Sequence, residues 1–379
     1  MRKIAVLTGK RGGYGAMKPM LRLLRDDPNI ALRLYATDQH TRGKFGQTLR
    51  EISEEFNVHS IPWGEAASEN PVEKRALEMG VFLGLFSDTL KLTAPDVLVL
   101  YGDRSEVLMA AIAATMHNIP IAHLQGGDES GSHDNVFRKS ISALASLHFV
   151  STTAARRRLS GIVPEDSRFI YTVGDHHIDN IIARDYHSEE VVRTELRLQY
   201  GFPIGVVLFH PDTYEPAEAH HQAENLFNAC KHFEQMQYII VYPCSDPGHE
   251  AIFEIIEKVS ASTPGFHRVF PNLTQPMFHG LMAIADVIIG NSSCGIIEAP
   301  YFDLPAVNVG RRQEGRLRSN NVVDVAPTFE AIRGGIYKAL SMRGQKFDRP
   351  FGNGYAGEET VKVLKETKLG VALLRNRGR

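Results

Sequence analysis

Along the chain, apolar runs of four to six residues alternate with longer stretches in which apolar positions recur at helical spacing. The runs predict strands at Lys3–Leu7, Ala31–Ala36, Asp96–Leu100, Ile119–His123, His148–Ser151 and Phe169–Val173. A second series follows at Gly205–Phe209, Tyr238–Tyr242, Arg268–Pro271, Asp286–Gly290 and Ala306–Val309. Helix-length segments such as Glu106–Met116 and Glu218–Gln235 lie between them. Runs that are apolar on both sides of the strand belong in a sheet covered on both faces, so the pattern predicts an α/β fold with parallel sheets. The two series predict two doubly wound Rossmann-like domains, residues 1–175 and 176–355, with Glu189–Tyr200 as a connecting helix. In the remaining segment, 356–379, Glu358–Leu374 reads as a last helix that packs back on the first domain.

Composition narrows the function. The chain has 379 residues, 43% of them hydrophobic and 23% charged, a globular profile. Lys and Arg number 42 against 44 Asp and Glu, a net charge of −2, which offers nothing for bulk nucleic-acid or membrane binding. An anionic ligand must then be held by local chemistry. Cys230, Cys244 and Cys294 form no CxxC pair and no disulfide framework. Only five apolar or small residues, Ile4 to Thr8, precede Gly9, too few for a signal peptide, and no later run would span a bilayer. A cytoplasmic protein is expected.

In open α/β sheets ligands bind beyond the carboxyl ends of the strands. Here those ends carry the chemistry. Thr8-Gly-Lys-Arg11-Gly-Gly-Tyr-Gly combines backbone freedom, a helix N-terminus and an arginine, which suits phosphate, although it is neither a Walker loop nor GxGxxG. An ordinary strand-to-helix turn would read the same. Gly290-Asn-Ser292-Ser293-Cys-Gly295-Ile-Ile-Glu298 repeats the logic: serine hydroxyls and amides for a diphosphate, and a carboxylate one to two turns on for ribose hydroxyls. A serine N-cap is the plainer alternative. His210 ends a strand in Phe-His-Pro-Asp-Thr, and Arg311, Arg312, Arg316 and Arg318 crowd a glycine-flanked segment able to neutralise a diphosphate. Asp103 follows Tyr-Gly, while Asp128 and Asp134 sit in His-Leu-Gln-Gly-Gly-Asp-Glu-Ser-Gly-Ser-His-Asp. Carboxylates brought close raise one another's pKa, making an acid and a base from one residue type. The pairs His176-His177 and His220-His221 diverge on any regular backbone, so no metal site is expected.

With these motifs in their order, the chain resembles the UDP-N-acetylglucosamine 2-epimerases, particularly the hydrolysing branch of sialic-acid-type sugar pathways. Ile-Pro-Ile-Ala-His, Leu-His-Phe-Val-Ser-Thr and Arg-Gln-Glu-Gly-Arg add to the match, which runs from the first strand beyond residue 325. The resemblance implies a glycosyltransferase-B-like fold with its two domains facing a cleft, no cofactor, a UDP-linked sugar as substrate and a homo-oligomer. It implies C2 deprotonation with loss of UDP, then hydration of the glycal to the free 2-epimer, as in N-acetylmannosamine. By position, Asp128 and Asp134 become the acid/base pair and Asp103 a supporting carboxylate. Arg11, His210, Ser292, Ser293 and Arg316 would hold the diphosphate and Glu298 the ribose, with Lys139, Gly295 and Arg312 completing the binding set.

This chain departs from the family pattern at the sugar end. Asp128 replaces the usual glutamate of Gly-Gly-Glu and is one methylene shorter; Arg138-Lys139 replaces Arg-His; Ser142-Ala143 replaces Thr-Lys; and Gly13 stands where an acidic residue is usual. The nucleotide motifs are intact. A different N-acetylated sugar is one expectation, and a non-hydrolysing epimerase or a nucleotide-sugar hydrolase of the same fold is the alternative. A transferase of this fold often carries a second glutamate eight residues beyond the nucleotide-binding one, where Ala306 stands here.

Overall fold

The computed structural model of the chain describes residues 1–46, 48–163, 169–262, 267–370 and 373–374. Two compact units emerge. One comprises Met1–Glu129, His133–Ala183 and Phe351–Arg379, the other Ser130–Ser132 and Arg184–Pro350.

The first unit holds a seven-stranded sheet made of β1 (Arg2–Thr8), β2 (Ile30–Ala36), β3 (Val58–Ser60), β4 (Val97–Tyr101), β5 (Ile121–Leu124), β6 (Leu147–Val150) and β7 (Ile170–Thr172). The order is β3-β2-β1-β4-β5-β6-β7 and every pairing is parallel. The winding reverses between β1 and β4, the topological switch where such sheets open for ligands. Side chains alternate across the strand, and both faces are covered. Ile4 and Val6 join Met17, Leu21 and Leu24 of the helix Arg11–Asp26, whereas Ala5 and Leu7 join Phe82, Phe86 and Leu90 of the helix Pro71–Thr93. Each of these side chains larger than alanine contributes roughly 1.5–3 kcal/mol by leaving water.

The second unit repeats the scheme with β8 (Ile204–Leu208), β9 (Gln237–Val241), β10 (His267–Phe270), β11 (Val287–Gly290), β12 (Ala306–Val309) and β13 (Val322–Val325), in the parallel order β10-β9-β8-β11-β12-β13. The switch falls between β8 and β11. Val207 and Phe209 pack on one layer, Val206 and Leu208 on the other.

Two strands were not anticipated. β3 has three residues, none of them buried, and β13 lies at a sheet edge with Val322 and Val325 only partly covered, so neither offers a continuous apolar run. The helix expected at Glu189–Tyr200 stops at Glu195, because the backbone turns left-handed at Arg197 (φ 53°). The helix expected at Glu358–Leu374 spans Ala356–Glu366 and ends where Thr367 turns extended; residues 371–372 of that expectation lie outside the described residues. Val361 and Leu364 of this helix enter the same core as Met20 and Leu21.

Candidate functional site

In the first unit, the carboxyl ends of β4 and β5 bring the Asp103 carboxylate and the backbone carbonyl of Asp128 onto one arginine. Arg138 is buried; it forms an ion pair with Asp103 and donates through Nη1 to the Asp128 carbonyl at 3.1 Å. Asp128 Oδ1 accepts from Ser151 Oγ at 2.9 Å, the residue that follows β6. Both carboxylates are buried. Asp134 is the first residue of the helix Asp134–Leu144, where its charge suits the helix dipole. It precedes Arg138 by one turn, so the two occupy the same helix face. Lys139 is exposed, and it is Arg138 that reaches the Asp103 carboxylate. Glu129 pairs instead with Arg158 at 3.1 Å.

The turn carrying Asp103 is clamped from beneath. His123 is fully buried, and its Nε2 lies 2.7 Å from the Gly102 carbonyl. A carbonyl only accepts, so Nε2 carries the proton and Nδ1 accepts from Ser142 Oγ at 3.0 Å. Burial holds this imidazole neutral, lowering its pKa to about 4. Gly127, just before Asp128, has φ 77°, and a Cβ there would stand 2.2 Å from the Ala155 carbonyl; only glycine fits. A second buried network lies at the same edge. Gln125 Nε2 donates to Asp175 at 2.5 Å, His177 Nδ1 bonds Asp175 at 2.8 Å, and Tyr101 Oη lies 2.9 Å from that nitrogen. Burial alone would raise the Asp175 carboxyl, but the His177 imidazole and the Gln125 amide hold it at about 2.

Arg11 opens the first helix of this unit, whose cap residue Lys10 contributes no side-chain bond and whose first turn holds no acid. An acid-free first turn at a helix N-terminus suits an anion.

The second unit gathers the other motif residues at the ends of β8, β11 and β12. His210 and Asn291 bind each other through backbone and side chain, at 2.7 and 2.8 Å. The Cys244 amide donates to His210 Nδ1 at 3.1 Å, so in the neutral ring Nε2 bears the hydrogen and is a donor. Arg312 donates to the Asn291 carbonyl at 3.2 Å and pairs with Asp246 at 3.4 Å. Gly290 has φ 143°, and a Cβ there would come within 2.0 Å of the Leu208 carbonyl, which makes the close passage of β8 and β11 dependent on it. Ser292 and Ser293 are half-buried ahead of the short helix Cys294–Ile297, in which Gly295 is buried. Burial pushes the Cys294 thiol up to about 12, so it is not a nucleophile.

Glu298 is buried and accepts from His279 Nε2 at 2.7 Å, while Gln275 lies 2.7 Å from the other ring nitrogen. Of the four clustered arginines, Arg316 is buried, Arg311 pairs with Glu314 at the surface, and Arg318 is tied to Asp324 and to two backbone carbonyls. Arg138, Ser151, Asp246 and His279 were not singled out as site residues from the sequence. Only the spacing of Arg138, one turn after Asp134, offered a local signal.

The sequence model of the UDP-N-acetylglucosamine 2-epimerase family matches residues 22–365. A Legionella pneumophila protein described as UDP-N,N'-diacetylbacillosamine 2-epimerase (hydrolyzing) is 35% identical over 99% of this chain and 98% of its own. A Campylobacter jejuni GDP/UDP-N,N'-diacetylbacillosamine 2-epimerase (hydrolyzing) is 28% identical over 85% of this chain and 84% of its own. Among solved structures, the Methanocaldococcus jannaschii UDP-GlcNAc 2-epimerase in complex with UDP-GlcNAc and UDP matches with a TM-score of 0.79 at 19% identity, covering 96% of this chain and all (100%) of that one. The shared fold is the glycosyltransferase-B-like pairing of two doubly wound units. No helix among the described residues is long and apolar enough to cross a membrane. By family match and by identity over nearly its whole length, the chain belongs to the UDP-N-acetylglucosamine 2-epimerase family.

Proposed function

We propose that the chain is a hydrolysing 2-epimerase of a UDP-linked N-acetylated sugar, with UDP-N,N'-diacetylbacillosamine as the preferred substrate. The observation that carries the reading is the Asp103–Arg138–Asp128 network at the carboxyl ends of β4 and β5, one helical turn from Asp134. The choice of sugar rests on the names of the two diacetylbacillosamine relatives. The departures at Asp128 and Lys139 fall at the sugar end, in keeping with a substrate other than UDP-N-acetylglucosamine.

In this reading the first unit moves protons. Asp128 takes the C2 proton, the C–H electron pair becomes the C1–C2 double bond, and the C1–oxygen bond to the diphosphate breaks toward UDP. The C2 proton is weakly acidic, so a desolvated, fixed base is required, and a buried Asp128 satisfies this. Asp134, protonated at the outset, then delivers its proton to the opposite face of C2, water adds its oxygen to C1 and gives up a proton that restores Asp134, and Asp128 releases the C2 proton to solvent as the free 2-epimer leaves. Asp103, paired with Arg138, keeps the loops in register; Arg138 acts through these two carboxylate loops as a positioning residue.

The second unit holds the leaving group. His210 Nε2–H, Ser292, Ser293, Arg312 and Arg316 meet the charge that develops on the diphosphate, with Arg11 of the first unit assisting. Glu298, oriented by His279, accepts from the ribose hydroxyls. Such an enzyme is cytoplasmic, in keeping with its unpaired cysteines.

The test is proton NMR of the full chain in D₂O, with UDP-N,N'-diacetylbacillosamine and UDP-N-acetylglucosamine in parallel. Free 2-epimer carrying deuterium at C2, together with UDP, is expected, and faster from the first substrate. Release of UDP with the C2 hydrogen retained would overturn the elimination, and a preference for UDP-N-acetylglucosamine would overturn the sugar assignment.

A further inference from the structure

The proposed chemistry leaves the buried carboxylate of Asp175 unused. Burying a charge is costly unless donors meet it, and here three do. Oδ1 accepts from the His177 amide at 3.0 Å and from His177 Nδ1 at 2.8 Å, and Oδ2 accepts from Gln125 Nε2 at 2.5 Å. A carboxylate held ionised only accepts, so Nδ1 carries a hydrogen, and the Tyr101 phenol oxygen 2.9 Å away faces that same hydrogen. These bonds end where the turns of two site carboxylates begin. Tyr101 precedes Gly102-Asp103, and Gln125 precedes Gly126-Gly127-Asp128. The two turns lie side by side, with the Gly102 amide donating to the Leu124 carbonyl at 3.0 Å. Asp175 is itself fixed, its amide donating to the Phe351 carbonyl at 2.7 Å. The helix His177–Ile182 that follows is fastened to the first helix by Asn180 Nδ2, 2.9 Å from the Gly15 carbonyl.

Gln125 carries strain that its bond to Asp175 maintains. Its φ is 63°, in the left-handed region, which costs a non-glycine residue on the order of 1–2 kcal/mol. The other left-handed positions of these turns, Gly102 at φ 82° and Gly127 at φ 77°, are glycines, which adopt them at no steric cost. A turn that needed shape alone would have glycine at 125 too. Gly13 belongs to the same arrangement. A Cβ there would stand 3.3 Å from Tyr101 Cδ1, so losing the acid usual at this position leaves the phenol its place beside His177. We infer that Asp175 is a positioning residue of this site: through Gln125, and through His177 with Tyr101, it sets the turns of Asp128 and Asp103 at the spacing that proton transfer at C2 requires. This rests on the reading of Asp128 as the base. Arg138 joins the same turns at Asp103 and Asp128, whereas Asp175 fixes them earlier, where each strand ends.

The experiment follows UDP release by the full chain from both sugar nucleotides named above, UDP affinity by calorimetry, and backbone hydrogen exchange by mass spectrometry. Asp175→Asn sets an amide nitrogen against one of the donors. Its kcat should fall about tenfold or more, with KM and UDP affinity within about threefold of wild type. Exchange should quicken in peptides spanning residues 101–104 and 125–128, while the first helix keeps its protection. Gln125→Ala should lose about as much activity, because nothing then holds the left-handed turn. Gln125→Gly, which adopts that turn unaided, should recover to within about threefold of wild type. Wild-type kcat in Asp175→Asn, exchange that quickens evenly over the first unit, or a Gln125→Gly variant no better than Gln125→Ala overturns the assignment. A wild type that turns over neither sugar nucleotide overturns the epimerase reading instead. The exchange pattern of Asp175→Asn then decides alone: confined to the two turns it upholds the role of Asp175, and spread over the unit it overturns it.

Discussion

Lowering the pH from 7 to 5 favours the unfolded chain, which can protonate histidines that the folded first unit keeps neutral. His40, His123, His148 and His176 all lie in that unit and are buried. Burial lowers the pKa of His40, His123 and His176 to about 4, and burial together with neighbouring His123 lowers His148 to about 3. His40 bonds Thr8 and Thr48, and His176 bonds Thr360, contacts that the neutral ring satisfies. The unfolded chain binds these protons near pH 6.5 and the folded one only near 4, so unfolding takes up protons as the pH falls through that window. Stability from this source is complete above pH 6.5 and is lost toward pH 4. At pH 5 each histidine accounts for about 2 kcal/mol, about 8 kcal/mol for the four. Asp179 opposes them: burial raises its pKa to about 6, which adds about 1 kcal/mol at pH 5 that disappears as the pH rises through 6. The net loss is comparable with the whole stability of a domain, roughly 5–15 kcal/mol. Trp63, the single tryptophan, is buried in this unit with its Nε1 donating to Glu78 at 2.8 Å. Its emission should therefore shift to the red cooperatively between pH 6 and 4.5. In His148→Phe, which removes one of the four protons, the midpoint should move down by about half a pH unit. An unshifted emission at pH 4.5, or an unmoved midpoint in the variant, would refute the reasoning.

Three further outcomes are expected. Asp134→Asn should abolish turnover while UDP affinity by calorimetry stays within about twofold, since only a proton carrier is lost; retained activity would remove Asp134 from the mechanism. Arg138→Gln leaves Asp103 buried without its partner and should cost about 3–5 kcal/mol in denaturant melts, with kcat falling far more than KM rises; a variant as stable as wild type would show that the pair does not hold these loops. His279→Ala removes the donor to buried Glu298 at about 1–3 kcal/mol of stability, so the melting temperature should fall by a few degrees and UDP should bind the folded variant roughly tenfold or more weakly; equal affinity would detach Glu298 from the nucleotide.

Much of the scaffold could be read along the sequence because parallel strands covered on both faces are apolar without interruption, as in Ile4–Leu7 and Val97–Leu100. β3 and β13 escaped because neither is an unbroken apolar run: β3 buries none of its three residues, and exposed Asp324 interrupts β13. Asp103, Asp128 and Glu298 stood out because they follow strands in glycine-bearing motifs. Their holders did not. Arg138 reaches Asp103 across 35 residues and His279 reaches Glu298 across 19, and such pairings exist only once the sheet has set the spacing.

The return of Val361 and Leu364 to the core of the first unit bears on the order in which the chain takes shape during synthesis. The segment Arg184–Pro350 has emerged in full before the first unit's closing helix exists. At about 5–20 residues per second, the roughly 180 residues from Ala183 to Leu364 take on the order of ten to forty seconds to appear. Throughout that interval Met17, Leu21 and their neighbours lack part of their cover. The half translated last can therefore complete its core first, while the N-terminal half keeps apolar surface uncovered until the helix Ala356–Glu366 arrives.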